Sequence, residues 1–330
     1  MKSIITRKRM NLFKSESDRY TEEHLSAREA QRLAEYIAWG PVIFQVSRLM
    51  VKFGILEALR DSMDGLTLQE IQQKICLGVQ SEGQQETESK TSLTEYALKI
   101  LLEASLSAGT VLIDKETDKF SLSKTGWFLL CDPATRVNID FNYDVNYQGM
   151  FYLEEALKEG KPAGLKTLGD WPTIYEGLSQ LAPQVQKSWF GFDHFYSDHS
   201  FDSALEIIFG KKETSASVAS DEGTSSVKPK YLMDVGGNTG RFALRCVSYD
   251  EEVNVTIVDL PGQIGMMQEN IDGKHGAGRI TGFATNILEE ENHLPKVADV
   301  QGLVASVDTF ADVNWDAIWM SQFLDCFSED

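Results

Sequence analysis

Apolar residues in the first third of the chain recur at helical spacing and are interrupted by glycine, proline and capping pairs. Val42, Val46, Leu49 and Phe53 fall three and four residues apart, so residues 29–60 are predicted to be helical, broken and restarted at Gly40-Pro41. Thr67 and Glu70 have the spacing of a capping box and open a predicted helix over residues 66–75. Ser92 and Glu95 repeat the device ahead of Tyr96, Ala97, Ile100, Leu101 and Ala104. Two short β-type runs follow, residues 110–113 and 119–122, and the polar stretch Asp114 to Asp118 between them predicts a hairpin. Helix, helix, hairpin is the order of a winged helix.

Further along, residues 142–210 read as helical and are dense in aromatics, among them Tyr143, Tyr147, Phe151, Tyr152, Trp171, Tyr175, Trp189, Phe190, Phe192, Phe195 and Tyr196. That density suits a pocket for a flat organic substrate and equally suits plain core packing. Periodicity then stops. Residues 211–230, KKETSASVASDEGTSSVKPK, are polar and Ser/Thr-rich, which predicts a flexible linker, and residues 78–91 interrupt the helix–helix–hairpin region in the same way. Beyond residue 230 apolar runs alternate with helical patterns: a strand entering a glycine-rich turn after Tyr231, a β-branched run from Val253 to Asp259, a third strand over 279–284 and a fourth over 315–320.

Composition narrows the function. A chain of 330 residues, 42% hydrophobic and 10% aromatic, holds material for about two folded domains. Its 31 Lys and Arg against 50 Asp and Glu give a formal charge of −19, a surface that repels phosphate backbones and anionic lipid. The would-be recognition helix agrees: between Ser92 and Gly109 its one basic residue, Lys99, stands against Glu95 and Glu103. The winged helix is therefore expected to pack or dimerise rather than to read nucleic acid. No run reaches the 18–20 apolar residues of a membrane helix. Lys2, Arg7, Lys8, Arg9 and Lys14 lead into no apolar stretch, so they are expected to form a frayed basic arm rather than a secretory signal. Cys76, Cys131, Cys246 and Cys326 lie far apart, neither a zinc pattern nor a disulfide framework, which predicts reduced thiols in a cytoplasmic protein.

Chemistry concentrates after residue 230. The run YLMDVGGNTGRFAL is a strand, a glycine turn and a helix start. A dinucleotide loop needs glycine two residues after the first, but Asn238 follows Gly236 at that distance and Thr239 follows Gly237. A phosphate-binding P-loop needs Gly-Lys-Ser/Thr, and Gly240-Arg241-Phe242 does not supply it. What remains is D-x-G-x-x-x-G on Asp234, Gly236 and Gly240, where missing side chains let a ligand lie against the backbone. Asp259 ends the following strand 25 residues after Asp234, where a carboxylate accepts ribose hydroxyls in an α/β nucleotide fold.

These residues resemble the class I S-adenosylmethionine-dependent O-methyltransferases of the plant caffeic acid and acetylserotonin type and their bacterial relatives. YLMDVGGNTG is similar to their glycine loop, VDLPGQI to their ribose-binding strand end, SFDSALEIIFG to their bridging helix and Tyr196-Ser197-Asp198-His199-Ser200 to their M-S-D-H-S turn. The resemblance implies a Rossmann-like α/β domain preceded by a mostly helical winged-helix dimerisation domain. Its divisions are 1–135 for the dimerisation domain, 136–210 for the helical substrate region, 211–230 for the linker and 231–330 for the cofactor domain. It implies S-adenosylmethionine as cofactor, held by Asp234, Gly236, Gly237, Gly240, Asp259, Leu260, Asn286, Ile287, Ser197 and Ser321. In the family pattern Gly236 and Gly240 pack on the methionine part, Asp259 takes the ribose and Ser197 the methionine carboxylate. Asn286 falls where the family carries an Asp beside the adenine. The expected partners are a small hydroxylated, aromatic acceptor and a second copy of the chain, with no nucleic acid and no membrane.

Two departures qualify the resemblance. Residues 324–327, Leu-Asp-Cys-Phe, stand against the family's L-H-D-W, so Asp325 falls on the catalytic histidine and Cys326 on the next aspartate. An aspartate ordinarily titrates near 3.9, a histidine near 6.5, so Asp325 is the weaker base unless burial raises it. The family sheet has seven strands and four are recognisable before Asp330, which reads as truncation; residues 291–314 are longer than the family's link at that point. The alternative is a catalytically impaired cofactor-binding or interaction protein of the same fold.

Overall fold

Capping and glycine breaks set the helices of the N-terminal unit. The computed structural model of the chain describes residues 23–77, 93–210, 228–289, 293–300 and 314–327. The chain divides into two units, Met1–Arg136 and Val137–Asp330. Helix α1, Ala27–Ala38, opens on a Ser26–Glu29 capping box. Helix α2, Gly40–Lys52, has Pro41 in its first turn, and a second break at Gly54, φ +69°, lets α3, Ile55–Arg60, start in a new direction. The predicted helix over 29–60 is thus three helices, because Gly54 interrupts it as Gly40 does. Thr67 and Glu70 form the expected box at the start of α4, Leu68–Leu77: Glu70 N–H donates to Thr67 Oγ1 at 3.3 Å and Thr67 N–H to Glu70 Oε2 at 2.8 Å.

Helix α5, Glu95–Ala108, is capped by Thr94, whose Oγ1 accepts from Ala97 N–H at 3.1 Å. The expected Ser92 cap is displaced, since Thr94 stands directly before the first helical residue and reaches the third amide; Ser92 itself lies outside the described residues. The hairpin forms as predicted. Strands β1, Val111–Ile113, and β2, Phe120–Leu122, pair antiparallel, Val111 opposite Leu122, and Asp114 Oδ1 accepts from the amides of Glu116 and Thr117 in the turn. Met50, Leu56, Ile71, Leu98 and Leu102 are buried together as the core of this unit. Helices α6, Lys124–Cys131, and α7, Pro133–Phe141, follow.

The second unit begins with short helices, α8 at Leu153–Glu159 and α9 at Ile174–Gly177, then the 27-residue α10, Pro183–Phe209. The M-S-D-H-S resemblance implied a turn at 196–200, but these residues lie within α10. Nothing there breaks the ladder, and Asp198 and Asp202 project one turn apart to pair with Arg241 and Arg245. The linker core, residues 211–227, lies outside the described residues, as do 78–91 and most of 291–314.

Beyond it come β3 (Tyr231–Val235), α11 (Arg241–Tyr249), β4 (Asn254–Asp259), α12 (Pro261–Ile271), β5 (Ile280–Ala284) and β6 (Ala317–Trp319). All neighbouring pairs are parallel, in the order β5-β4-β3-β6. β3 and β4 are buried along nearly their whole length, as their unbroken apolar runs demand of a sheet covered on both faces. Leu205 of α10, Leu232, Ile257 and Met267 lie at the centre of that core. Both strands end at one edge, where Val235 leads into the glycine turn and Asp259 into α12, and ligands of open parallel sheets bind beyond such carboxyl ends. Among the described residues no helix is long and apolar enough to cross a membrane.

Arg279 fastens the far end of this sheet. Its guanidinium donates to the carbonyls of Val247, Asp250 and Val253 at 2.6–2.9 Å, tying the end of α11 to the start of β4. Replacing it by alanine strands three carbonyls in a half-buried setting; urea unfolding should show a loss of about 2–3 kcal/mol, with Arg279→Lys recovering only part because an ammonium lacks the planar fork.

Candidate active site

The turn from Val235 to Arg241 enters positive φ at Gly236 (+73°), Asn238 (+50°) and Gly240 (+78°). The two glycines serve different ends. A Cβ on Gly236 would stand 2.5 Å from the ring of Phe323, at the cavity wall, whereas one on Gly240 would stand 3.0–3.2 Å from Met267, Ile257 and Ile271. Gly240 therefore faces the hydrophobic core, where it lets α11 approach β4 and α12. The resemblance placed it against the methionine part of a cofactor; the structure instead gives it a packing role, since its open side is filled by core side chains.

A cavity of about 400 Å³ opens over this turn, a size suited to a cofactor or drug-sized ligand. Asp234, Gly236, Gly237, Asp259, Leu260, Asn286, Ile287, Ser197 and Ser321 all line it. Of the proposed cofactor set, only Gly240 is absent from the walls. Asp325 belongs to a turn at Leu324–Cys326, and its side chain lies outside the described residues; its neighbours Cys326 and Phe327 line the cavity.

Asp259 is held ready by its own backbone surroundings. Its Oδ2 accepts from Asn238 N–H and its Oδ1 from Leu260 N–H, both at 2.8 Å. Burial pushes its pKa up to about 6 against these two donors, which favour the ionised form. Asp234 is different. It is 2% exposed and its Oδ2 has no hydrogen-bond partner. Burial, reinforced by the neighbouring Asp259, pushes it up to about 8. Asn286 Oδ1 accepts from Leu288 N–H at 3.1 Å, an amide turn at the end of β5.

Sequence reasoning passed over four groups that the fold brings here. Asp193, one turn before Ser197 on α10, accepts from Asn238 Nδ2 at 2.9 Å, and burial raises its pKa. His194 stands beside it with Nε2 3.2 Å from Thr239 Oγ1, and burial together with Arg241 pushes it down to about 4, so it is neutral at physiological pH. Gln263 on α12 donates to Asn238 Oδ1 at 3.1 Å. Phe323 covers Gly236. The available signal was Asn238 itself, an amide standing at the loop position where a glycine would leave no side chain to pair.

The remaining wall is aromatic. Phe141 stacks on Phe192 at 4.1 Å and leans on Trp189 at 5.5 Å, while Tyr175 meets Trp189 edge-on. The two earlier alternatives for these residues, pocket lining and core packing, resolve toward the pocket for Tyr175, Trp189 and Phe192, and Phe141 at the end of α7 joins them.

Residues 31–82 and 77–120 match the Dimerisation2-like domain. A search of curated proteins finds no match. Among solved structures, the chain is similar to the mitomycin 7-O-methyltransferase MmcR, with a TM-score of 0.58 and 14% identity over 91% of this chain and 72% of that one. It is also similar to PigF solved with SAH, with a TM-score of 0.53 and 13% identity over 80% and 67% of the respective chains. The fold is that of the class I methyltransferases, a mostly helical N-terminal region followed by a parallel α/β core.

The Asp234 carboxyl sets a pH dependence of its own. Its ordinary value is 3.8 and its folded value about 8, so the stability contributed by its neutral form is fully present below pH 4 and is lost as pH rises from there through 8. Thermal melting of the ligand-free protein should fall between pH 6 and 8, by about 2–4 °C for each kcal/mol. Asp234→Asn should flatten that interval, leaving only the change below pH 6 that belongs to Asp259.

Proposed function

We propose that the chain is an S-adenosylmethionine-dependent methyltransferase that methylates a hydroxyl of a small aromatic acceptor and dimerises through its N-terminal region. The observation that carries this reading is the orphaned Asp234 oxygen beneath a glycine turn whose neighbouring strand ends in a pre-oriented Asp259. A buried polar atom without a partner calls for a donor from the ligand, and the ammonium group of S-adenosylmethionine is such a donor. Gly236 lets the ring of Phe323 lie against the backbone at the cavity wall. A cationic cofactor suits the acidic walls, whereas a dinucleotide would bring phosphates to them, and the glycine spacing already speaks against it.

In this reading Asp259 accepts the ribose hydroxyls, with Leu260, Asn286, Ile287 and Ser321 along the adenine and Ser197 toward the methionine carboxylate. Bound S-adenosylmethionine supplies an electrophilic methyl group on a sulfonium. Phe141, Tyr175, Trp189 and Phe192 orient a flat acceptor and exclude water from its face. Asp325 occupies the family's base position and takes the acceptor proton. His194 is unsuited to that role, since its lowered pKa makes it a poor proton acceptor. The Dimerisation2-like match over residues 31–120 and the apolar residues exposed around α1, Tyr36, Ile37 and Trp39, support a homodimer.

Two measurements test the assignment. In calorimetric titration the wild type should bind S-adenosylmethionine and not NAD, and Asp259→Ala should weaken binding by about 1–3 kcal/mol, the worth of hydrogen bonds to a charged acceptor; unchanged affinity would remove Asp259 from the site. In a methyl-transfer assay on phenols, Asp325→Asn should lower kcat by about 100-fold or more at unaltered cofactor affinity. Cofactor binding without turnover in the wild type would favour the impaired binding protein instead.

A further inference from the structure

The aromatic wall of the cavity is built by two helices that carry acids among their rings. On α10, Trp189, Phe192 and Asp193 are spaced by three and four residues and so share one face. On α9, Glu176 directly follows Tyr175, which meets Trp189 edge-on. All five line the cavity, and Trp189 and Phe192 are only half-buried, which leaves ring surface for a ligand. Neither carboxyl is ion-paired to a cation among the described residues. Glu176 accepts from the Thr173 amide at 3.1 Å and from the Thr173 hydroxyl, and Asp193 accepts from Asn238 Nδ2 at 2.9 Å, all of them neutral donors. The one guanidinium on the walls, Arg241, is engaged by Asp198. His194 is neutral at physiological pH, since burial and Arg241 lower it to about 4.

An unmatched oxygen on the same wall asks for a donor. Because Asp193 takes the NH2 of Asn238, Asn238 Oδ1 is turned toward Gln263; Gln263 meets that oxygen with its own NH2, and its Oε1 is left without a partner. Gln263 lines the cavity at 4% exposure. Gly262 before it lies so near the segment after Glu176 that a Cβ there would stand 2.4 Å from Ser179 Oγ. A buried acceptor of this kind calls for a donor from the ligand. We propose, resting on the methyltransferase reading above, that the acceptor is a hydroxylated aromatic carrying a protonated amine, and that Glu176 and Asp193 on the aromatic wall select it over one carrying a carboxylate. Aromatic faces attract a cation through their π-electrons, whereas an anionic acceptor gives up its hydration to meet two carboxyl groups. In a partly dry cavity both effects are felt far more strongly than across bulk water. S-adenosylmethionine does not reverse the sign of the site: its sulfonium and ammonium are partly cancelled by its own carboxylate, and the walls hold Asp259 besides Glu176 and Asp193.

The test is calorimetric titration of the full chain, loaded with S-adenosylhomocysteine so that no turnover occurs, with three phenols of matched ring and chain: tyramine, para-ethylphenol and para-hydroxyphenylpropionate. At neutral pH the wild type should bind tyramine more tightly than the carboxylate by about tenfold or more, with the uncharged phenol between them. Glu176→Gln keeps the capping box, in which glutamine serves as well as glutamate, and Asp193→Asn keeps an oxygen to accept from Asn238. Each should shrink the tyramine-to-carboxylate ratio by about threefold or more and leave para-ethylphenol within about twofold of the wild type. Equal binding of the three by the wild type, tighter binding of the carboxylate, or variants that lose all three in proportion overturns selection by charge. If S-adenosylhomocysteine binds and none of the phenols does, the inference falls while the cofactor reading stands; if S-adenosylhomocysteine does not bind either, both fall.

Discussion

Three entries into positive φ within five residues force the chain to reverse between β3 and α11, and the site is built on that reversal. An L-residue rarely adopts this backbone, and the sequence meets the demand with Gly236, Asn238 and Gly240. The turn directs Gly236 N–H to Val258 O and Asn238 N–H to Asp259, so the ends of two adjacent strands are joined through the loop rather than only through the sheet. Moving any of the three residues out of its conformation would disconnect Asp259 from its donor and Asp193 from its amide. The apolar core beneath, with Met267 and Ile271 against Gly240, holds the turn from the other side.

Grouping acids at the end of a sheet is unfavourable in an empty cavity, and the protein offsets the cost unevenly. Asp259 retains two backbone donors and Asp193 one amide, while Asp234 is left to remain protonated. The walls thus hold a gradient from a carboxylate prepared by hydrogen bonds to a carboxyl that ionises readily only when something positive approaches. Arg241 does not cancel it, because Asp198 engages its guanidinium from α10.

How much of this could be read from the sequence depends on how far apart the cooperating residues lie. The capping box at Thr67 and Glu70, the hairpin, and the strand–turn–helix at 231–244 are local, and their signals were complete within a few positions. Asp259 was recognisable because strand ends of this fold place an acid at a fixed distance from the glycine turn. Asp193 was not: it sits in an aromatic helix 45 positions from Asn238, and nothing in F-D-H-F-Y-S marks which polar residue faces inward. The continuity of α10 through 196–200 was hidden for the same reason, because the partners that favour it, Arg241 and Arg245, come more than 40 positions later. Gly236 and Gly240 look alike in sequence, although one stands at the cavity wall against Phe323 and the other against the core.

The paired charges between α10 and α11 have a consequence for how those helices are aligned. Asp198 and Asp202 are spaced by four residues, and so are Arg241 and Arg245, giving two rungs of identical pitch. Sliding one helix past the other by one turn, about 5.4 Å, would break one rung and remake the other with a new partner. A ruler with equal divisions measures spacing but does not fix the origin, and partly exposed ion pairs contribute little individually. The origin is set instead by contacts that do not repeat: Phe201 packs on Phe242 at 5.1 Å, Phe242 stacks in turn on Trp319 of β6 at 4.5 Å, and Phe209 meets Tyr249 at 5.8 Å. Aromatic contacts at both ends of α11, one of them continuing to β6, therefore decide which turn of α10 faces the cavity, and with it whether Asp193 or a residue four positions away meets the glycine turn.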